Sequence, residues 1–166
     1  MPSSTRPARH ATTLHPDAEE LFLQHPDAEI ITSFPGLATL TGARILAEIG
    51  DDRARFTHAG NLKAYAGSAP VTSQFGKSRH VTHRRIKNNR LAATGRHWAF
   101  AALTASPGAH DRYNRRRDTG DHYHAALRNL FNRMLGQLHR CLTNRQKFDE
   151  AIAFSTSAPA LLPAVA

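Results

Sequence analysis

Apolar side chains recur along most of the chain at three- and four-residue intervals, the spacing that gathers them on one side of an α-helix. The clearest run is Ala126, Leu127, Leu130, Phe131, Met134, Leu135, Leu138 and Leu142, which predicts a long amphipathic helix over 122–142. Trp98, Phe100 and Leu103 among alanines predict a core helix over 91–103. Ser106-Pro107 opens another that runs through Tyr113, since proline suits a helix's first turn. Upstream, Leu21 and Phe22 mark a short helix over 17–25, with Pro26 either ending it or starting the next, and Ile30, Ile31 and Phe34 mark a second over 28–34. A Pro35-Gly36 turn then leads into a helix with Leu40, Ala43, Leu46 and Ala47 inward and Gly50 at its end. Phe56, Leu62 and Tyr65 predict a further short helix, with Asn61 as its cap. No apolar alternation persists long enough for a sheet, and residues 68–79, with Pro70 and Gly76, read as a polar loop. The expected fold is all-α: a compact multi-helix domain over 17–154, between a disordered leader (1–16) and a disordered, Ala/Pro-rich tail (155–166).

The turn Pro35-Gly36-Leu37-Ala38 resembles the helix-hairpin-helix motif, whose turn runs Gly, apolar, Gly; Ala38 stands in place of the second glycine. Backbone N–H groups at such a helix start lack intrahelical acceptors and can bind a phosphate without reading bases. Gly42 lies inside the second helix, where glycine costs roughly 0.5–1 kcal/mol against alanine, so close helix packing is its expected reason.

Charge changes this picture most. The 166 residues carry 22 Lys+Arg and 13 Asp+Glu, a formal charge of +9, but unevenly. Residues 1–52 hold three basic and eight acidic side chains, residues 53–110 ten basic and no acidic ones, and residues 111–166 nine and five. A stretch of that length without a carboxylate repels itself unless a polyanion lies against it, and nucleic acid is the usual one. The expected phosphate contacts are Lys77, Arg79, Arg84, Arg85, Lys87 and Arg90, with Arg96 ending the stretch and Arg112–Arg117 a second patch. The competing reading is a non-catalytic basic helical module that binds an acidic protein partner. A single cysteine, Cys141, excludes a disulfide framework, and no apolar run reaches the ~18 residues of a membrane span. A cytoplasmic location is expected, with no membrane association. His80-x-x-His83 has a ligand-like spacing for a helix, but Arg79, Arg84 and Arg85 beside it would repel a cation, so no metal site is expected.

The order Pro35-Gly36-Leu37, Ala47-Glu48-Ile49-Gly50-Asp51, Tyr65-Ala66-Gly67-Ser68-Ala69-Pro70-Val71-Thr72, Gly76-Lys77-Ser78-Arg79, Trp98-Ala99-Phe100 and Ser106-Pro107-Gly108-Ala109 is similar to the C-terminal domain of insertion-sequence 110/116/902 transposases. The likeness continues through His124-Ala125-Ala126-Leu127-Arg128, Leu135-Gly136-Gln137-Leu138-His139 and Phe148-Asp149-Glu150. The resemblance implies DNA transposition by strand exchange through a covalent phosphoserine, with DNA and a structured guide RNA as partners. It also implies association with a full-length transposase and a separate RuvC-like nuclease domain holding the metal, Mg2+, so no cofactor is expected in this chain. Chemically, such a step needs a serine Oγ facing a phosphodiester, with cations around it to stabilise the charge on phosphorus. The family pattern places its nucleophilic serine where this chain has Phe75; Ser73, two residues upstream, would substitute only in a shifted register, and Ser78 aligns with the family's second serine. Residues 1–16 hold no acidic side chain that could begin a nuclease metal site. The expectation is therefore a truncated transposase domain that binds nucleic acid and carries out little or no strand exchange.

Overall fold

The computed structural model describes residues 8–75 and 78–155. The expected tail beyond Ser155 and the first seven residues of the expected leader lie outside them. Among the described residues are eight α-helices: α1 (Ala8–Leu23), α2 (Ala28–Thr32), α3 (Thr39–Ile49), α4 (Ala59–Tyr65), α5 (Asn89–Ala105), α6 (Pro107–Asp118), α7 (Tyr123–Asn144) and α8 (Glu150–Phe154). The helical architecture agrees with the all-α expectation, with one correction. Within the stretch 68–79 read as a polar loop, and on to His83, the chain forms an antiparallel hairpin of β1 (Pro70–Phe75) and β2 (Ser78–His83), with Pro70 opposite His83 and Phe75 opposite Ser78. Regular structure also starts earlier than expected, since α1 begins at Ala8 inside the stretch read as a leader.

Helix α7 is the centre of the molecule. It buries every residue that the three-four pattern marked, together with Cys141, and α4, α5 and α6 lie along it. Arg145, in the left-handed conformation at φ 55°, ends it. Trp98 of α5 is fully buried, edge-on to Phe34 (5.6 Å) and Phe131 (6.1 Å), and its indole N–H donates to the Pro35 carbonyl at 3.0 Å. Phe100, expected beside it in the core, is instead 58% exposed: two residues turn the α-helix by about 200°, so the two rings cannot share a face. Gly95 explains how α5 and α7 meet, because a Cβ there would sit 2.1 Å from Phe131 Cζ.

Helix α3 buries Gly42, Ile45, Leu46 and Ile49, whereas Ala47 is exposed and Leu40 and Ala43 are half-buried. The inward face is thus rotated from the expected one, with Ile45 and Ile49 taking the places given to Ala43 and Ala47. Gly42 has the packing role expected of it, since a Cβ would meet Phe22 Cζ at 2.9 Å and Ile31 Cγ2 at 3.0 Å. Gly50 ends α3 at φ 78°, its N–H donating to Leu46. In α4 the expected cap is corrected: His58 holds the N-cap position, and Asn61 lies inside the helix, bonded to Thr57 Oγ1. Ser106 caps α6 and also donates to Glu150 Oε1 (2.7 Å), which accepts the Gly108 N–H as well (2.8 Å), so α8 is tied to the start of α6.

Candidate nucleic-acid interface

The hairpin is held at its two roots. On the way in, Gly67 adopts φ 71°, and the N–H groups of Ser68 and Ala69 both donate to the Lys63 carbonyl at the end of α4. Ser68 is buried, and its hydroxyl reaches Asn132 Oδ1 of α7 at 3.1 Å. On the way out, the Asn88 N–H donates to the Tyr65 carbonyl (2.8 Å), and its side-chain amide donates to Tyr65 Oη (2.7 Å) and Glu48 Oε2 (2.6 Å). The Asn88 carbonyl oxygen of the side chain accepts from Leu91 N–H, starting α5. Between these anchors the two strands pair with each other.

At that base, between the hairpin root, α5 and α7, is an open cleft of about 380 Å³. Leu127 and Phe131 of α7 are its apolar floor; Lys87, Arg96, Arg128 and His124 stand around it, and no carboxylate lines it among the described residues. Lys87 reaches the cleft by laying its stem over Gly67, where a Cβ would be 2.2 Å from Lys87 Cδ. Only glycine supplies both the positive φ and the space. Cations around an apolar floor suit a ligand with an anionic group and a flat, weakly polar face, the composition of a nucleotide.

The sequence-predicted residues fall into two sets that the structure does not bring together. Arg84 and Arg85 are exposed beyond β2, Lys87 joins the cleft, and Arg90, 88% exposed at the side chain, faces Glu48 Oε1 at 3.9 Å. Ser73 and Phe75 lie two positions apart on β1, paired with His80 and Ser78, and Arg79 is on β2. Lys77 lies outside the described residues. His80 and His83 are on a strand, not the helix assumed for their spacing. The turn Pro35 to Ala38, by contrast, packs on the other end of α5. A Cβ at Gly36 would meet the Ala102 amide nitrogen at 2.6 Å, Leu37 is buried, and Pro35 is engaged by Trp98. From Asn88 to this contact is ten to fourteen residues, or about 15–20 Å along the helix. One side of the turn is therefore committed to the core, with Ala38 exposed on the other. In the Arg112–Arg117 patch, Arg116 pairs with Asp121 at 2.7 Å and Arg117 donates to the Asp121 carbonyl, so part of that charge is used within the fold.

The model of the transposase family IS116/IS110/IS902 matches residues 28–114, more than half of the chain and the whole span from α2 to most of α6. The chain belongs to this transposase family. It is 60% identical over 137 residues to the mini-circle protein assigned as the transposase of IS117 in Streptomyces coelicolor, covering 82% of this chain and 33% of that protein. An uncharacterized 42 kDa protein of the insertion element IS900 from Mycobacterium paratuberculosis is 33% identical over 134 residues, covering 80% of this chain and 34% of its own. An uncharacterized 43.6 kDa protein of IS110 from Streptomyces coelicolor is 34% identical over 119 residues, 71% of this chain and 29% of its own. The chain thus spans about a third of the length of these transposase-family relatives. The matched stretch takes in the hairpin and both of its roots, while Arg128 and His124 of the cleft come from α7, beyond it. The basic run of residues 53–110 pointed to Lys87 and Arg96 but not to these two. Their signal is positional: they are four apart on α7 and flank Leu127 of its apolar face.

Proposed function

We propose that this chain is the nucleic-acid-binding C-terminal part of a transposase of this family, and that it grips a DNA strand at the base of the hairpin. The carrying observation is the cleft at the hairpin root, where Lys87, Arg96 and Arg128 surround Leu127 and Phe131 with no carboxylate among the described lining residues. In this reading the cations neutralise phosphates, while the apolar floor takes the face of a sugar or base. The hairpin carries the position that the family uses for its nucleophilic serine, held here by Phe75, which has no oxygen to attack phosphorus. DNA recombination by this chain therefore depends on Ser73 or is lost. A structured guide RNA and a full-length transposase are its further partners, in the cytoplasm.

Binding of a labelled duplex, measured by anisotropy across salt concentrations, tests the reading. Log affinity should fall linearly with log salt, and Arg96→Gln with Arg128→Gln should make that slope shallower by about two. Affinity that does not change between low and high salt would sink it, as would a partner protein that binds without competing with DNA. For the chemistry, a covalent adduct of the unaltered chain through Ser73 would overturn the assignment of impairment. Phe75→Ser should form an adduct only with a nuclease domain supplied in trans.

A further inference from the structure

Three cations from three helices bear on one stretch of α7: Lys63 of α4 lies over Gly136, Arg112 of α6 bonds Asn129, and Arg133 belongs to α7 itself. Gly136 makes the room. A Cβ at that position would lie 2.8 Å from both Lys63 Cε and Nζ, so the ammonium rests on the bare backbone of α7. Arg112 donates one Nη2–H to Asn129 Oδ1 (2.9 Å), and its buried Nε has no hydrogen-bond partner among the described residues. Arg133 spends its Nε–H on the Ala153 carbonyl (2.7 Å). Among the described residues no carboxylate pairs with any of the three; Glu150 is engaged with Ser106 and Gly108, Asp149 with the Ile152 N–H, and Asp121 with Arg116.

The cost of this arrangement is visible in both partners. The lysine pKa is pushed below its usual range by burial first, then by the charges of Arg133 and Arg112. Arg112 is pushed down likewise by burial, then by Arg133, Arg115 and Arg116. Burial and like charge both disfavour the charged form of such groups, and an anion placed among them would relieve both.

We infer that Lys63, Arg112 and Arg133 form a phosphate-binding subsite, separate from the cleft and taking a tetrahedral phosphate oxyanion between the three cationic groups. It rests on the preceding reading only for the source of that phosphate, a phosphodiester of the strand gripped at the hairpin base.

The test uses the full chain and Lys63→Met, which keeps the stem over Gly136 and removes the charge. Inorganic phosphate should raise the melting temperature of the unaltered chain above that in chloride of equal ionic strength, and Lys63→Met should lose the increment. With duplex DNA, the salt slope of Lys63→Met should be shallower by about one. Stabilisation by phosphate with an unchanged slope would assign the subsite to a free phosphate or a small phosphorylated ligand. A shallower slope without stabilisation by free phosphate would assign it to the strand. Absence of both effects overturns the subsite. If the unaltered chain binds no nucleic acid at all, the preceding reading fails and the phosphate arm alone decides this one. Lys63→Met melting in chloride at or above the parent shows that it folds; if it does not fold, Arg112→Gln takes its place with the same expected losses.

Discussion

Two groups of charged side chains lean on α7 and are treated in opposite ways. At the C-terminal end, Asp27 is 2% exposed and clamped between Arg53 and Arg145, the latter being the residue that ends the helix. His25 completes the site: its Nδ1 accepts the Asp27 N–H at 3.1 Å, which leaves Nε2 to donate to Asp51 at 3.0 Å. Midway along the same helix, Lys63, Arg112 and Arg133 have no such acid among the described residues. Where a charge serves the fold, this chain supplies its partner from inside, joining α2, the segment after α3 and the end of α7. Where the charge is left over, its partner is expected from outside, and the same helix carries both arrangements.

The largest effect should come from breaking the first. Removing both guanidiniums with Arg53→Ala and Arg145→Ala leaves Asp27 buried without compensation, which should cost about 3 kcal/mol in urea unfolding. That figure is at the low end for a buried pair because both arginine side chains still reach water, with 32% and 58% of their surface exposed. A loss below about 1 kcal/mol would mean that the clamp is ornamental and that the contrast between the two groups carries no lesson. Duplex affinity of the folded fraction should be unchanged, since neither arginine lines the cleft.

Next in size is Gly95→Ala, where the new Cβ would push on the Phe131 ring. That ring is 4% exposed and held by Trp98, so it cannot swing clear, and overpacking of this kind costs about 1–3 kcal/mol. Phe131 is also the floor of the cleft, so affinity for DNA should fall together with stability. Affinity that survives the substitution would separate the floor from the binding.

Much of this fold was legible because α7 and α6 obey local rules: a sustained three-four period in the first, Ser-Pro at the start of the second. The hairpin was not, because a two-stranded ladder is held by backbone pairing, and Pro70 to His83 shows no sustained alternation of apolar and polar residues to betray it. Phe100 and the rotated face of α3 failed for a related reason. Among alanines and isoleucines several helical faces are nearly equally apolar, and only the neighbouring helix decides between them. At the site, charge counting found Lys87 and Arg96 since they lie in one acid-free run. It missed Arg128 of the cleft, and it missed Lys63, Arg112 and Arg133 as a group, because these are distributed over α4, α6 and α7 and only the packing against α7 relates them.

A smaller but signed effect comes from the unneutralised group. With its folded pKa lowered, Lys63 binds fewer protons in the folded than in the unfolded chain at pH values between the lowered value and the usual 10.5. Stability should therefore rise with pH through that window, and the protonated lysine should weigh against folding below it. Lys63→Met should accordingly melt higher than the parent at neutral pH in chloride, and the gap should close as pH approaches 10.5. Cys141 moves the other way: burial pushes its thiol up from the usual 9.0, so stability falls with pH as the unfolded chain's thiol ionises first. The comparison is therefore made between parent and variant, both of which retain that cysteine. A parent that matches the variant at neutral pH would remove the repulsion on which the contrast rests.

The smallest effect marks the lower bound of what pairing does on this surface. Glu29 and Lys147 form an ion pair with both side chains largely in water, 75% and 61% exposed. The lysine's hydrogen bond, and then its charge, lower the Glu29 pKa, so whatever the pair contributes is present above the usual carboxylate range and disappears as pH falls through the lowered value. Water and salt screen so exposed a pair almost completely. Glu29→Gln should therefore leave the melting curve superimposable on the parent's at physiological salt, with a gap opening only at low ionic strength and only above the lowered pKa. A clear loss at physiological salt would show that exposed pairs count here. The charge on Lys63 and its neighbours would then be one of many surface terms, with nothing in it to require an anion from outside.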